Sequence, residues 1–238
     1  MTGQPILILG GFLITGEAYA PMCRWLEANN HGQPVRLVPA SRFDWLFTVG
    51  AWGWRRLLDR TAALARELAA ASPTGRITLI GHSSGGVMLR LFLGSEPFAG
   101  RIYGGAALAD CLICLGSPHT ARRATPLRQW VDRRYPGAFF ADDVAYVSVA
   151  GDLRLSEGSP TARRLAPGSY RAISGMEAVA GDGLVPVDSA CLAGSRTIVL
   201  PGVAHGGAFG DRWYGSPEVV PQWWGAAAAA ASRSPAAP

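Results

Sequence analysis

Ser83 lies in Gly81-His82-Ser83-Ser84-Gly85, between an apolar run at residues 77–80 and an apolar helical run at residues 84–93. A strand, a serine with glycine two positions to either side, and a helix match the pattern of a nucleophile elbow. There the serine takes a strained backbone conformation so that its hydroxyl clears the sheet. A Cβ at either glycine would collide where strand and helix pass each other. The Ser84 N–H then opens a helix, where backbone donors have no intrahelical partner and the dipole favours an anion. The competing reading is a glycine-rich turn with a capping serine.

A serine hydroxyl is a poor nucleophile at neutral pH; it needs an imidazole to take its proton and a carboxylate to orient that imidazole. The chain has four histidines. His31 sits in a polar turn. His82 adjoins Ser83, but neighbouring residues of an elbow point apart, so His82 is a candidate for the pocket wall and a poor base. His119, in Ser117-Pro118-His119, is a second pocket candidate and an alternative base. His205 follows the last strand in a glycine-bounded loop and is the preferred base. Among the carboxylates, Asp182 between Gly181 and Gly183 comes first, because flanking glycines let the backbone turn and aim a short side chain. Asp152 and Asp188 remain alternatives. The developing oxyanion needs N–H donors, each worth roughly 3–4 kcal/mol in comparable sites. Ser84 offers one, and Phe12, after Gly10-Gly11, offers the other.

These residues have to be positioned by a core. Apolar runs at residues 6–9, 35–38, 77–80, 108–115, 144–149 and 197–200 predict strands. Helical periodicity covers residues 18–29, 55–71 and 84–93, and a Ser-Pro start opens a further helix at residues 216–224. Strands that are apolar on both faces and alternate with helices predict an α/β fold, with a mostly parallel sheet covered on both sides. Residues 158–168 read as a loop. Residues 41–54 carry Phe43, Trp45, Phe47, Trp52 and Trp54 among glycines. They either plug the core or wall an apolar pocket, with Phe43 and Trp45 as the pocket candidates. Arginines crowd residues 120–136, so residues 117–142 are expected to leave the sheet as a cap, either a lid or a solvated helical face.

Composition narrows the classes further. The 238 residues suit a single domain over 1–224, with an alanine-rich, then Ser/Pro-rich tail at 225–238 expected to be frayed or disordered. All 22 basic residues are arginine, which removes Schiff-base chemistry and lysine-dependent phosphate loops. A net charge of +5 permits attraction to acidic surfaces, and no aromatic-basic motif points to nucleic acid. No apolar run reaches membrane-spanning length, and the start lacks a basic leader, so a cytoplasmic location is expected. Cys111 and Cys114 fall in a strand at i and i+3, on opposite faces, and read as core residues rather than a metal or redox pair.

Three motifs carry a resemblance: Gly81-His82-Ser83-Ser84-Gly85-Gly86, Leu115-Gly116-Ser117-Pro118-His119 and Gly181-Asp182-Gly183-Leu184-Val185-Pro186. Together they resemble α/β-hydrolases of the lipase and esterase type, including bacterial triacylglycerol lipases. Phe43-Asp44-Trp45 and Trp213-Tyr214-Gly215-Ser216-Pro217-Glu218 look more like a group of cyanobacterial and plastid hydrolases. The resemblance implies Ser83 as nucleophile, Asp182 as acid, His205 as base, and Phe12 and Ser84 as oxyanion donors. It also implies a serine hydrolase that cleaves small-molecule or lipid esters, with apolar acyl chains expected, through an acyl-enzyme; this mechanism requires no metal or organic cofactor, and the arginine-rich segment 120–136 allows a transient contact to a membrane surface. The alternatives are a thioesterase or acyltransferase on the same fold, and a non-catalytic lipid- or pigment-binding protein. One departure stands out. Lipases usually begin the first loop with His-Gly, and here the pair is Gly10-Gly11, so the histidine contact that steadies that loop is missing.

Overall fold

The computed structural model describes residues 3–231. Six strands, β1 (Ile6–Leu9), β2 (Val35–Leu37), β3 (Ile77–His82), β4 (Ala109–Leu115), β5 (Ala145–Asp152) and β6 (Arg196–Pro201), form one parallel sheet in the order β2-β1-β3-β4-β5-β6. Between them run α1 (Gly16–Asn29), α2 (Arg42–Leu46), α3 (Ala51–Ala71), α4 (Ser84–Leu93), α5 (Pro126–Arg134), α6 (Pro160–Ser174) and α7 (Val187–Ala190), and α8 (Val220–Ala231) closes the order.

The alternation of side chains along each strand decides which helices it meets. Leu7, Leu9, Leu79 and Leu112 pack with Leu57 and Leu58 of α3 and Met88 of α4. Ile6, Ile8, Ile80 and Ile113 pack on the other face with Tyr19 and Met22 of α1 and Trp223 of α8. Each such fully buried aliphatic side chain contributes on the order of 1.5–3 kcal/mol. Cys111 and Cys114 are buried in opposite clusters, as their spacing predicts, and all four cysteines are free thiols. α4 is buried along its length because it lies under both the sheet and the segment after β4.

The sheet order reverses between β1 and β3: the chain leaves β1 for β2 on one side and returns to β3 on the other. Loops from β1 and β3 therefore diverge, and a crevice opens at the carboxyl ends of the strands.

Three local expectations are revised. Residues 158–159 lead in as expected, but residues 160–168 are not a loop and belong to α6. Its start is capped by Ser159 Oγ, which accepts from the Ala162 N–H at 3.1 Å, and its buried face is Ala162, Ala166 and Tyr170. Pro167 and Gly168 mimic a break, but the apolar i, i+4, i+8 face outweighs them. Residues 41–54 resolve into α2, a 3-10 turn at Phe47–Val49 and the start of α3. Ser41 and Asp44 form a capping box, and Asp44 also meets Arg60 at 2.9 Å. The alanines after Gly225 continue α8 as far as Ala231 rather than fraying at 225, and residues 232–238 of the expected tail lie outside the described residues. Among the described residues no helix is long and apolar enough to cross a membrane.

The segment after β4 does leave the sheet, and a buried charge ties it down. Arg90 of α4 is 1 % exposed. Its guanidinium donates to Asp132 Oδ1 at 2.9 Å, to the Tyr135 carbonyl at 2.7 Å and to His119 Nδ1 at 3.4 Å. His119 Nε2 is buried without a partner. Burial first, then the charges of Arg90 and Arg128, hold the His119 imidazole well below the ordinary histidine range, so it is neutral. Burial does the same for His82.

Two outcomes follow. Arg90→Met leaves the Asp132 carboxylate and the Tyr135 carbonyl without their donor, so it should cost about 3 kcal/mol in urea unfolding. A variant as stable as the parent would remove the knot from the account. Both buried imidazoles have depressed folded pKa values, so the unfolded chain alone takes up their protons below pH ~6.5. Stability is full above that value and falls as pH drops through it, by up to about 1.4 kcal/mol per pH unit for each histidine. Urea midpoints at pH 7.5 and pH 5 check this, and a flat profile contradicts it.

Candidate active site

Ser83 occupies the turn between β3 and α4 at φ 54° and ψ −126°, a conformation in which non-glycine residues are strained. The surroundings leave no alternative. A Cβ on Gly81 would fall on the backbone of Gly86, and one on Gly85 would fall on the carbonyls of Leu9 and Gly10. A Cβ on Gly86 would strike Ser117 Oγ. The elbow glycines are thus required by three separate close approaches.

The loop after β6 brings His205 to this turn. Its Nε2 lies 3.0 Å from Ser83 Oγ, and its Nδ1 lies 2.8 Å from Asp182 Oδ2. Asp182 is fully buried, His205 is 2 % exposed and Ser83 is 8 % exposed. Among the described residues the carboxylate bonded to His205 is that of Asp182; the alternatives Asp152 and Asp188 make no such bond. His119, the alternative base, faces Arg90 instead.

Asp182 is held on every side. Residues 181–186 fold back on themselves, so Oδ1 accepts from the Leu184 N–H at 3.0 Å and the Val185 N–H at 2.7 Å. Oδ2 accepts from the Tyr214 hydroxyl at 2.8 Å besides facing His205. Burial, then the Asp182 charge, pushes the Tyr214 phenol well above its ordinary pKa, so it remains a donor. Tyr214 in turn accepts from the Gly151 N–H at 2.7 Å. The Asp182 carbonyl receives the His205 N–H at 2.8 Å, which fixes the two loops to each other.

The N–H of Ser84 opens α4, and the Phe12 N–H donates to Ser84 Oγ at 3.1 Å. The two candidate oxyanion donors therefore sit together beside Ser83. The first loop is steadied by Tyr19 and His82. The Gly11 N–H donates to the Tyr19 hydroxyl at 2.7 Å, and that hydroxyl lies 2.8 Å from His82 Nδ1. His82 Nε2 lies 2.8 Å from the His205 carbonyl. A carbonyl only accepts, so Nε2 carries the proton and Nδ1 accepts from Tyr19. The first loop and the His205 loop are joined through one neutral imidazole. Gly10 makes room for this brace, since a Cβ there would lie 2.8 Å from the Tyr19 ring.

The expected pocket walls need correction. His82 is fully buried with both ring nitrogens engaged, and His119 is buried under α4, so neither faces the space beside Ser84. Trp45 is 1 % exposed and borders a separate cavity of about 200 Å³ with Gly10 and Tyr19, whereas Phe43 is 74 % exposed. Residues two apart on a helix point to nearly opposite sides, and α2 turns Trp45 inward and Phe43 outward. The cleft beside Ser84 is instead about 230 Å³, with Phe12, Val49, Trp54 and Arg128 on its wall. A second cleft of about 260 Å³ lies along Leu13, residues 206–209 and Trp213. Tyr19 and Tyr214 are the supports that sequence reasoning missed. Tyr19 fits an apolar helical stripe, and the hydroxyl at its tip was the available signal. Tyr214 lay within a motif noted only for resemblance.

No protein-family model matches the chain, and no curated protein matches it. Among solved structures, the chain is similar to Est1E from Butyrivibrio proteoclasticus, with 14% identity, a TM-score of 0.51, and coverage of 96% of this chain and 90% of that one. It is also similar to the product of the gene lin2722 from Listeria innocua, with 13% identity, a TM-score of 0.51, and coverage of 93% and 92%. At such identities the likeness is one of fold. With its six parallel strands between helical layers, the chain has the α/β-hydrolase fold.

Proposed function

We propose that this protein is a serine hydrolase that cleaves carboxylic esters through an acyl-enzyme. The observation that carries this reading is the Ser83–His205–Asp182 chain, bonded at 3.0 and 2.8 Å with Ser83 raised on its strained turn. Ser83 Oγ attacks the ester carbonyl carbon while His205 Nε2 takes the hydroxyl proton. Asp182 keeps Nδ1 protonated and stabilises the imidazolium. The carbonyl oxygen becomes an oxyanion and takes hydrogen bonds from the Phe12 and Ser84 N–H groups, displacing Ser84 Oγ from the former. The bond to the alcohol oxygen breaks, and His205 returns the proton to the departing alcohol. Water, deprotonated by His205, then attacks the acyl-enzyme and releases the acid.

Phe12, Val49 and Trp54 favour an apolar portion of substrate next to the carbonyl. The Tyr19–His82 brace supports a working first loop over a purely binding role, because it supplies the steadying contact that the Gly10-Gly11 pair lacks. A thiol leaving group or an alcohol acceptor would use the same acyl-enzyme, so thioesters and added alcohols belong in the assay.

A fluorophosphonate probe should label the native protein and leave Ser83→Ala unlabelled; equal labelling of both would end the reading. His205→Ala should lower kcat on p-nitrophenyl esters by roughly 10⁴-fold or more. Tyr19→Phe leaves the Gly11 N–H and His82 Nδ1 without their shared partner. It should reduce kcat about tenfold with little change in KM, because the loop it loosens carries a donor that acts mainly in the transition state. An unchanged kcat would detach the brace from the chemistry.

A further inference from the structure

The cleft beside Ser84 contains a positive charge that forms no ion pair with any described residue. Arg128 sits in the first turn of α5, where Pro126 and the Thr125 cap fix the helix start, and its side chain shares the cleft wall with Phe12, Val49, Trp54 and Ser84. The Arg128 side chain makes no hydrogen bond or ion pair with any described residue. Three nearby arginines are partnered. Arg90 is bonded to Asp132, Arg134 to Glu96 at 2.8 Å, and Arg133 to Gln129 at 3.4 Å. Asp132, one turn further along α5, acts on Arg128 electrostatically, but its Oδ1 is taken by Arg90. No carboxylate lines the cleft.

A half-buried guanidinium in a largely apolar wall loses hydration without gaining a partner. Burial accordingly pulls its pKa down, against the opposing pull of Asp132. The planar fork of donors is suited to two-point binding of a carboxylate or phosphate. The same cleft contains both candidate oxyanion donors, so an anion held by Arg128 would belong to the molecule whose carbonyl is attacked.

We propose that Arg128 forms a specificity subsite for an anionic group, carboxylate or phosphate, carried by the ester substrate and separated from the scissile carbonyl by a short apolar stem. The proposal rests on the hydrolase reading above and narrows its substrate class. The apolar wall takes the stem, and the guanidinium takes the charged end.

Two matched ester pairs test it. p-Nitrophenyl hemiglutarate against its methyl ester places the charge on the acyl side. 4-Acetoxybenzoate against its methyl ester places it on the alcohol side. In at least one pair the anionic member should have a kcat/KM about tenfold or more above its neutral partner, the scale of a charge-assisted hydrogen bond. The preference should shrink with added salt. Arg128→Gln should erase it, and Arg128→Lys should keep part of it; melting temperatures establish that both variants fold. Equal kcat/KM within both pairs, or a preference that survives Arg128→Gln, overturns the subsite. If the protein labels with a fluorophosphonate but shows no anion preference, only the subsite fails. If it neither labels nor turns over any of the four esters, the hydrolase reading fails, and the subsite is then read by binding of glutaranilic acid to Ser83→Ala. There Kd should weaken about tenfold in the Ser83→Ala/Arg128→Gln variant, and equal Kd values overturn it.

Discussion

The start of α4 lies against the backbone ends of β1 and β3 with no room for a Cβ at Gly81, Gly85 or Gly86. This close approach pushes Ser83 into positive φ, at a cost of about 1–3 kcal/mol. The strain persists because α4 is buried along its length, between the sheet on one side and the Arg90 knot and α5 on the other. A looser helix would let the turn relax and carry the hydroxyl away from His205. The core beneath the site therefore maintains the conformation on which the proposed chemistry depends.

On this base, two hydrogen-bond systems set the loops. One surrounds Asp182 with the Leu184 and Val185 N–H groups, the Tyr214 hydroxyl and His205, so both oxygens of the buried carboxyl group have partners. The other runs from the Gly11 N–H through Tyr19 and His82 to the His205 carbonyl. Each donor in that second chain has one acceptor, which gives it a single direction. The two systems meet at His205, whose ring is held by the first and whose backbone is held by the second. A histidine held at both its ring and its backbone meets the serine at a hydrogen-bond distance.

The residues proposed for the chemistry carry marks in the chain, but their surroundings carry none. Gly81, Ser83 and Gly85 announce a turn by type and spacing, and the apolar runs on either side announce what the turn connects. Asp182 between two glycines and His205 after the last apolar run stand at loop positions, where short polar side chains are free to point at a site. Pocket walls leave no such mark. Phe43, Trp45, His82 and His119 all suited a pocket by residue type, yet α2 turns Phe43 outward and Trp45 inward, and both histidines are buried. Pro167 and Gly168 misled in the same way, because local propensity is weaker than a buried face at helical spacing.

The sequence by itself determined the alternation of strands and helices, the need for glycine around Ser83, and the chain order of serine, carboxylate and imidazole. These follow from steric limits and periodicity, which act between near neighbours. Only the tertiary structure decided that Asp182 rather than Asp152 or Asp188 faces His205. The same holds for Tyr19 joining the Gly11 N–H to His82 and for Arg128 lining the cleft with no ion pair to any described residue. Each of these joins residues far apart along the chain. Their distances are set by how the helices pack on the two faces of the sheet, and no local pattern encodes that.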